Sequence, residues 1–259
     1  MKSLILLFSL ILNSYAQTSI EECATLAQYY GHATLSQEVP VECYDTIKEL
    51  SASMQKVEGY TIAGHKNLLY IELDGILKLT SGNKTLLKEI IAIDAAPSED
   101  LVFVLSKGQT SFEVLSFPIS FAGNLAPRRR LVTEELEGAT GLRSNPSKKE
   151  LYVFSRENSW IKVFNQNADP NGKRAENSNA VKRSIIDVSP IDLAITGEEL
   201  YILTDTEIMV FEREANGVAT PLRVKNVSEF GLVKNIKFDS KQSLQLINEA
   251  GESYTISEF

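Results

Sequence analysis

The feature that most constrains the fold of this chain is a short apolar sequence that recurs five times. The copies are Leu69-Tyr70-Ile71, Leu101-Val102-Phe103-Val104, Leu151-Tyr152-Val153-Phe154, Leu200-Tyr201-Ile202-Leu203 and Leu244-Gln245-Leu246-Ile247. The intervals between them are 32, 50, 49 and 44 residues. A period of about 40 to 50 residues with several short strands in each unit is typical of propeller blades.

Each copy stands in the same local order. A strand and a turn precede it, and two further strands follow, at 112–117, 160–164 and 208–211 and then at 129–132, 181–188 and 222–224. A sheet of this kind is apolar on both faces and is stable only when neighbouring sheets cover them. We therefore predict an all-β fold, a β-propeller of about five four-stranded blades over residues 59–259. The fifth unit, which starts at 233–238, is expected to lack a fourth strand.

The first 58 residues have a different pattern. Residues 1–16 have the features of a secretory signal peptide: Lys2, an apolar run over 4–12, and small residues at Ser14 and Ala16. The apolar run is too short to cross a bilayer, which needs about 20 residues. Residues 17–58 are predicted to be helical, because Cys43, Ile47, Leu50, Met54 and Val57 are spaced by three and four. We expect this stripe to pack against the propeller, near the seam of its first and fifth blades or across one mouth.

The two cysteines, Cys23 and Cys43, both lie in this helical segment. In an exported protein an even pair so close together indicates a disulfide, whereas two buried free thiols are the alternative. Such a disulfide stabilises the fold by about 3 kcal/mol in the chain-entropy model, because it restricts the unfolded chain.

Two loops share a sharper motif, Gly-x-x-x-Pro-x-Arg. It occurs at 217–223 after Ala215-Asn216 and at 123–129 after Ala122. Together with the Leu-Tyr-Val strand ahead of it, this motif resembles the blades of bacterial secreted β-propeller repeat proteins of the YVTN and NHL-like type. The resemblance covers residues 100–225 best, and the middle loop keeps Gly172 but lacks Pro-x-Arg. It implies a propeller with a binding role, and it brings no catalytic residues of the family that can be placed on this sequence.

The basic residues of this motif have a simple interpretation. We expect Arg129 and Arg223 to be solvated charges on outer edge strands, where charge discourages pairing between sheets. The run 128–130 is followed by three glutamates, so a solvated face is expected there too. Trp160 opens a third strand, and we expect it to pack between blades rather than to anchor a partner.

Residues that could carry chemistry are few. The chain has two histidines, His32 and His65, and no zinc, nucleotide or nucleophile motif, so we expect no cofactor and no metal. The turn residues Asp94, Asn145 and Asp239 could meet near one mouth of the channel and bind a cation or polar ligand. Asx turns explain the same residues without a ligand.

Charge narrows the choice of partner. The net charge is −8 and the pI about 5.0, which disfavours nucleic acid because phosphate binding needs a dense basic face. We expect a monomeric, periplasmic or extracellular module that binds a protein or a component of the cell envelope without catalysis. The alternative is a propeller hydrolase of the lactonase type, with its active site at the channel mouth.

One measurement tests the export and disulfide predictions together. The intact mass of the native protein, without reductant, should match a chain that begins at Gln17 and lacks the two thiol hydrogens of Cys23 and Cys43. A chain that retains Met1 would contradict export. A mass that rises on thiol alkylation before reduction would contradict the disulfide.

Overall fold

A computed structural model describes residues 53–57, 59–74, 76–120, 122–166, 180–239 and 241–256 of this chain. It contains five antiparallel sheets, which are the blades of a β-propeller, and the predicted all-β class is confirmed. Two compact units are distinguished: Met1–Ile90 with Ile119–Pro127, and Ile91–Pro118 with Arg128–Phe259. The signal peptide, most of the helical segment, Cys23 and Cys43 lie outside the described residues.

Blade 1 belongs to the first unit and has four strands in chain order. They are β1 (Ser53–Val57), β2 (Tyr60–His65), β3 (Leu68–Leu73) and β4 (Ile76–Thr80). The helix predicted to reach Val57 is therefore wrong at its end, because 53–57 pair antiparallel with β2. Alternation competes with the helical spacing in this short stretch. Met54 is 54% exposed, so the predicted burial of the whole stripe does not hold for this residue.

The second unit holds the other blades. Blades 2 to 4 have four strands each and blade 5 has three described strands. Their bounds are β5 (Glu89–Ala96), β6 (Leu101–Lys107), β7 (Phe112–Phe117) and β8 (Arg129–Val132) in blade 2; β9 (Gly141–Asn145), β10 (Glu150–Ser155), β11 (Trp160–Asn165) and β12 (Arg183–Ile186) in blade 3; β13 (Asp192–Ile195), β14 (Glu199–Leu203), β15 (Glu207–Glu212) and β16 (Arg223–Asn226) in blade 4; and β17 (Val233–Phe238), β18 (Leu244–Asn248) and β19 (Ser253–Ile256) in blade 5.

The recurring apolar sequence forms the second strand of blades 2 to 5, and in blades 2 to 4 it is buried on both faces. Leu151 and Val153 of β10 pack into a core shared with blade 2, whereas Tyr152 and Phe154 pack into one shared with blade 4. Alternate residues of a strand point to opposite faces, so one strand contributes to two cores. Trp160 packs in the core between blades 2 and 3, as predicted.

Two copies of the repeat lie at positions in their sheets that differ from those expected from matching the five apolar sequences. Leu69-Tyr70-Ile71 lies on the third strand of its sheet, which accounts for the short first interval. In blades 2 and 3, Pro97 and Pro146 each open a 3-10 turn that ends in a left-handed residue, Asp100 or Lys149. Because Asp100 and Lys149 occupy equivalent positions, Phe103 is the structural counterpart of Tyr152. Matching the apolar sequences instead pairs Val102 with Tyr152.

The described residues outside the strands form turns, loops and short 3-10 segments. Within the described ranges, no helix has the length and apolar character needed to cross a membrane. The order of strands in every sheet follows the order of the chain, so each blade is built from one continuous stretch of sequence.

The close approach of β9 to β10 generates a stability prediction. A Cβ atom on Gly141 would lie 2.2 Å from Cζ of Phe154, its neighbour in the sheet, whereas a Cβ on Gly197 would meet nothing within 4 Å. Overpacking of this kind costs about 1–3 kcal/mol. We expect Gly141→Ala to lower the free energy of urea unfolding by that amount and Gly197→Ala to leave it within about 0.5 kcal/mol. Equal stability of the two variants would contradict the packing described.

Candidate functional site

A row of charged residues links the first strands of consecutive blades in the second unit. Asp94 on β5 accepts hydrogen bonds from the backbone N–H and the hydroxyl of Ser144 on β9, both at 2.6 Å. Arg143, next to Ser144, forms an ion pair with Asp192 of β13 at 2.7 Å and a longer one with Asp94 at 3.6 Å. Asp192 in turn accepts the backbone N–H of Ile236 on β17 at 2.9 Å. The row therefore ties four first strands together.

Burial determines the electrostatics of this row. Desolvation raises the pKa of Asp192, and the nearby Arg143 guanidinium and two backbone N–H groups oppose that shift without cancelling it. Desolvation lowers the pKa of Arg143, but the two carboxylates outweigh it and the net shift is upward. The arrangement can hold the strands in register, and its polar atoms face one another.

The three residues predicted for the channel mouth are in different local settings. Asp94 lies inside β5 rather than in a turn and is buried. Asn145 ends β9 and accepts the Ser147 hydroxyl at 2.8 Å. Asp239 accepts the backbone N–H groups of Lys241 and Ser243, both at 2.8 Å, which makes it the Asx turn that the sequence offered as the simpler explanation. A role in ligand binding for these three stays a prediction.

A second charged cluster joins blades 3 and 4 and was missed in the sequence. Glu150, at the start of β10, accepts both terminal nitrogens of Arg183 at 2.8 Å and one of Arg213 at 2.9 Å. Tyr152 donates its hydroxyl to the same carboxylate at 2.9 Å, and Lys182 reaches it at 3.0 Å. Desolvation by burial would raise the pKa of Glu150, but these donors and cations hold it well below its usual range. Burial raises the pKa of Tyr152 to about 12.

The same positions in blade 4 form a similar cluster. Arg183 of blade 3 and Arg223 of blade 4 each open the fourth strand in the row that contains the repeat's tyrosine. Arg223 binds both carboxylate oxygens of Glu199 at 2.8 Å, so blade 4 repeats the Glu-x-Tyr and Arg pattern. The signal available in the sequence was Glu-Leu-Tyr at 150–152 and at 199–201.

Blade 2 departs from this pattern. Leu101 and Phe103 stand where blades 3 and 4 have Glu and Tyr, and Arg129 is the residue in the arginine position. Arg129 is buried, donates to the backbone carbonyl of Asn165 in blade 3, and has its pKa lowered to about 10 by desolvation. The expectation of a solvated edge charge is therefore wrong for Arg129, and Arg223 is only partly exposed and ion-paired.

The outer arginines of the basic run have acidic partners. Arg128 pairs with Asp100 at 3.1 Å, and Arg130 makes a two-pronged contact with Glu113, with both bonds at 2.8 Å. Arg128 and Arg130 remain substantially exposed. The predicted neutralised face is thus observed for these two, although their partners are Asp100 and Glu113 rather than the following glutamates.

The loop that carries the Gly-x-x-x-Pro-x-Arg motif in blade 4 lies along the edge of blade 3. We call residues 214–219 the strap. Gly217 donates its N–H to the Ser184 carbonyl at 2.6 Å and accepts the Ile186 N–H at 3.1 Å. The side-chain oxygen of Asn216 accepts the Ser184 N–H at 2.9 Å. The strap runs parallel to β12, and Gly217 adopts φ = 70°, which glycine allows without strain.

The first copy of the motif makes a related contact within the first unit. Gly123 donates its N–H to the Leu79 carbonyl of β4 at 2.7 Å. The side-chain oxygen of Asn124 accepts the Lys84 N–H at 2.8 Å, and Lys78 donates to the carbonyl of Ser120 at 2.9 Å. In both units, therefore, a loop with Gly and Asn satisfies backbone groups on the outer edge of a sheet.

Exposed apolar side chains lie on the strap, on β12 beside it and on the segment that follows it into β16. Val218 is 72% exposed and follows Gly217, whose carbonyl accepts the Ile186 N–H, so Val218 and Ile186 are neighbours across that bond. Leu222 and Val224, 50% and 49% exposed, lie on the chain as it leaves the strap and enters β16. We call these four residues the rim patch. Apolar patches on a charged surface commonly mark interaction sites.

Comparisons with known proteins bear on the fold. No protein-family profile and no curated protein matches this chain. Among solved structures, Raptor from Chaetomium thermophilum is similar at 10% identity and a TM-score of 0.50, over 78% of this chain and 19% of that chain. The WD40 domain of Pan2 from Neurospora crassa is similar at 11% identity and a TM-score of 0.50, over 79% of this chain and 60% of that one. This chain thus spans less than two thirds of either, and the likeness concerns the propeller fold.

The Glu150 cluster generates a pH-dependent prediction. Glu150→Gln leaves Arg183 and Arg213 without their buried counter-charge, so we expect a loss of about 3–5 kcal/mol in unfolding free energy at pH 7. Because the folded-state pKa of Glu150 is depressed, its contribution is present above its unfolded pKa of about 4.3 and is lost as the pH falls through the lower folded value. Urea unfolding should therefore show the gap between wild type and variant narrowing in acid.

The matched control for this prediction is Glu214→Gln. Glu214 is 60% exposed and pairs with Arg183 at 3.2 Å on the outside of the same cluster. An exposed pair contributes under about 1 kcal/mol. A loss at Glu214 as large as that at Glu150, or a gap that does not change with pH, would contradict the role assigned to Glu150.

Proposed function

We propose that this chain is an exported, non-enzymatic binding module that holds a protein partner against the rim patch of blades 3 and 4. The observation that carries the proposal is the exposure of four apolar side chains, Ile186, Val218, Leu222 and Val224, on β12, on the strap beside it and on the segment that continues into β16. The exposed Val218 side chain presents apolar surface to water. Covering that surface in a complex is favourable by about 25 cal/mol for each Å².

The outer strands supply a suitable surface for this role. β12 with its strap and β16 are anchored through Arg183 and Arg223 to buried or half-buried glutamates. The rim patch therefore stands on a rigid support, which lowers the entropic cost of binding. The acidic composition of the chain fits a protein or envelope partner better than nucleic acid.

The finer assignment is also a proposal. We assign the blades to the YVTN and NHL-like type on the motif at 215–223, and place the protein in the periplasm or outside the cell as a monomer. The resemblance of the motif and the signal-peptide pattern of residues 1–16 support this assignment. The WD40 domain of Pan2 has a related propeller fold.

A hydrolase of the lactonase type is the less favoured candidate. Its active site would need titratable groups that converge on open space. The buried acidic residues of blades 2 to 4 instead contact arginines or backbone N–H groups. These partners come from the neighbouring blade for Asp94, Glu150 and Asp192, and from the same blade for Glu113. Within the ranges that the structure describes, no group of three or more His, Cys, Asp and Glu residues could hold a metal ion.

A pair of matched variants tests the rim patch. Val218→Asp places a charge in the patch, whereas Leu232→Asp changes another exposed apolar residue, which lies ahead of β17 and outside the patch. With the tagged mature chain as bait in native envelope fractions, we expect Val218→Asp to reduce capture of the partner at least about tenfold and Leu232→Asp to preserve it. Both variants should melt within a few degrees of wild type. Capture that is the same for all three proteins would contradict the proposal.

A further inference from the structure

The outer edge of β16 is the counterpart of the β12 edge that the strap covers. Arg183 pairs with Val163 in blade 3, and Arg223 pairs with Val210 in blade 4, so the two fourth strands share one register. Lys182, the residue before Arg183, donates its N–H to the carbonyl of Val163 at 2.8 Å. Leu222, the residue before Arg223, donates in the same way to Val210 at 2.7 Å. Val224 therefore stands where Ser184 stands, and Asn226 stands where Ile186 stands.

This register fixes which backbone groups of β16 face outward. In blade 3 the N–H and carbonyl of Ser184 and the N–H of Ile186 point away from β11 and bind the strap. The matching groups of β16 are the N–H and carbonyl of Val224 and the N–H of Asn226. Within the described part of the chain, no segment forms backbone hydrogen bonds with these groups, and the Val224 side chain is 49% exposed.

We propose that the outer edge of β16 binds an extended segment of a partner protein, which adds a strand parallel to β16 as the strap does on β12. The proposal rests on the function proposed above and specifies how the partner is held. Strand addition gives affinity through main-chain bonds and specificity through side chains at alternate positions.

The strap defines the chemistry of that partner segment. On β12 an Asn side chain accepts the first edge N–H, while the following Gly donates to the edge carbonyl and accepts the next edge N–H. A partner segment with Asn-Gly followed by an apolar residue can make these three bonds to Val224 and Asn226. Its apolar residue would lie beside Asn226, as Val218 lies beside Ile186 on β12.

The charges along β16 leave room for such a segment. Arg223 is turned to Glu199 and Tyr201, at 2.8 Å and 3.5 Å, and so does not guard the edge as a solvated cation. The side chain of Asn226 accepts the Ser228 N–H at 3.0 Å and thereby bends toward its own turn. Lys225 lies on the same face of β16 as Arg223, is half-buried and is engaged in an interaction of its own. An open edge with apolar residues between engaged cations is the type of strand that accepts another.

The test uses the mature chain and a synthetic peptide with the sequence of residues 214–222, EANGVATPL. Amide hydrogen exchange measured residue by residue should show that the peptide slows exchange at Val224 and Asn226. The same peptide with proline in place of its glycine lacks the central N–H donor. We expect it to bind at least about tenfold more weakly.

Variants of the chain provide the second arm. Val224→Pro removes an outward N–H but no bond to β15, so the sheet should remain intact, and we expect peptide binding to fall at least about tenfold. Val224→Ala keeps the N–H and should retain binding. Equal binding by Val224→Pro and wild type, or no protection at Val224 and Asn226, would overturn the proposal.

Other occupants of the edge give distinct results. Protection of Val224 and Asn226 that grows with the concentration of the chain alone would overturn the proposal in favour of a second copy. Protection at every concentration without peptide would overturn it in favour of another part of the same chain. If Val218→Asp abolishes partner capture while Val224→Pro does not, the protein-binding function stands and strand addition fails. If the peptide protects the edge but Val218→Asp has no effect on capture, strand addition stands and the rim patch fails.

Discussion

A sheet that is apolar on both faces is stable only when both faces are covered, and this constraint organises the second unit. The second strands of blades 3 and 4 send alternate residues into two different cores, so each blade contributes to the packing of both neighbours. A fully buried Leu, Val or Phe side chain stabilises the fold by about 1.5–3 kcal/mol. A substitution in one such strand is therefore felt in two interfaces.

Polar contacts then select which blades fit together. The carboxylate of Glu150 in blade 3 is shared by Arg183 of the same blade and Arg213 of the next, so the cluster is complete only when both blades are in place. Asp94, Arg143 and Asp192 link first strands in the same way. A buried ion pair that loses one partner is costly, which makes these contacts selective for one order of blades.

The sequence predicted the strands and their grouping well because these depend on local alternation and turn residues. It failed where distant residues decide. Matching the five apolar sequences predicts a second strand for Leu69-Tyr70-Ile71, although its interval of 32 residues is shorter than the others and agrees with its place on a third strand. The pairing of Glu150 with Arg213 spans 63 positions and depends on how two sheets meet. Arg129 was expected in solvent because its strand is an outer one, yet its side chain turns inward beneath the next blade.

The Gly-x-x-x-Pro-x-Arg motif combines two structural tasks in one short sequence. Its glycine lets the chain pass along a sheet edge with a positive φ, and its arginine returns to anchor the following strand. Covering an edge in this way removes a site where other chains could pair. The loop of blade 4 covers β12, whereas within the described residues no segment forms backbone hydrogen bonds with the outward groups of β16. Leu222 and Val224, where the motif enters β16, are 50% and 49% exposed, so the motif protects one edge and leads into an open one.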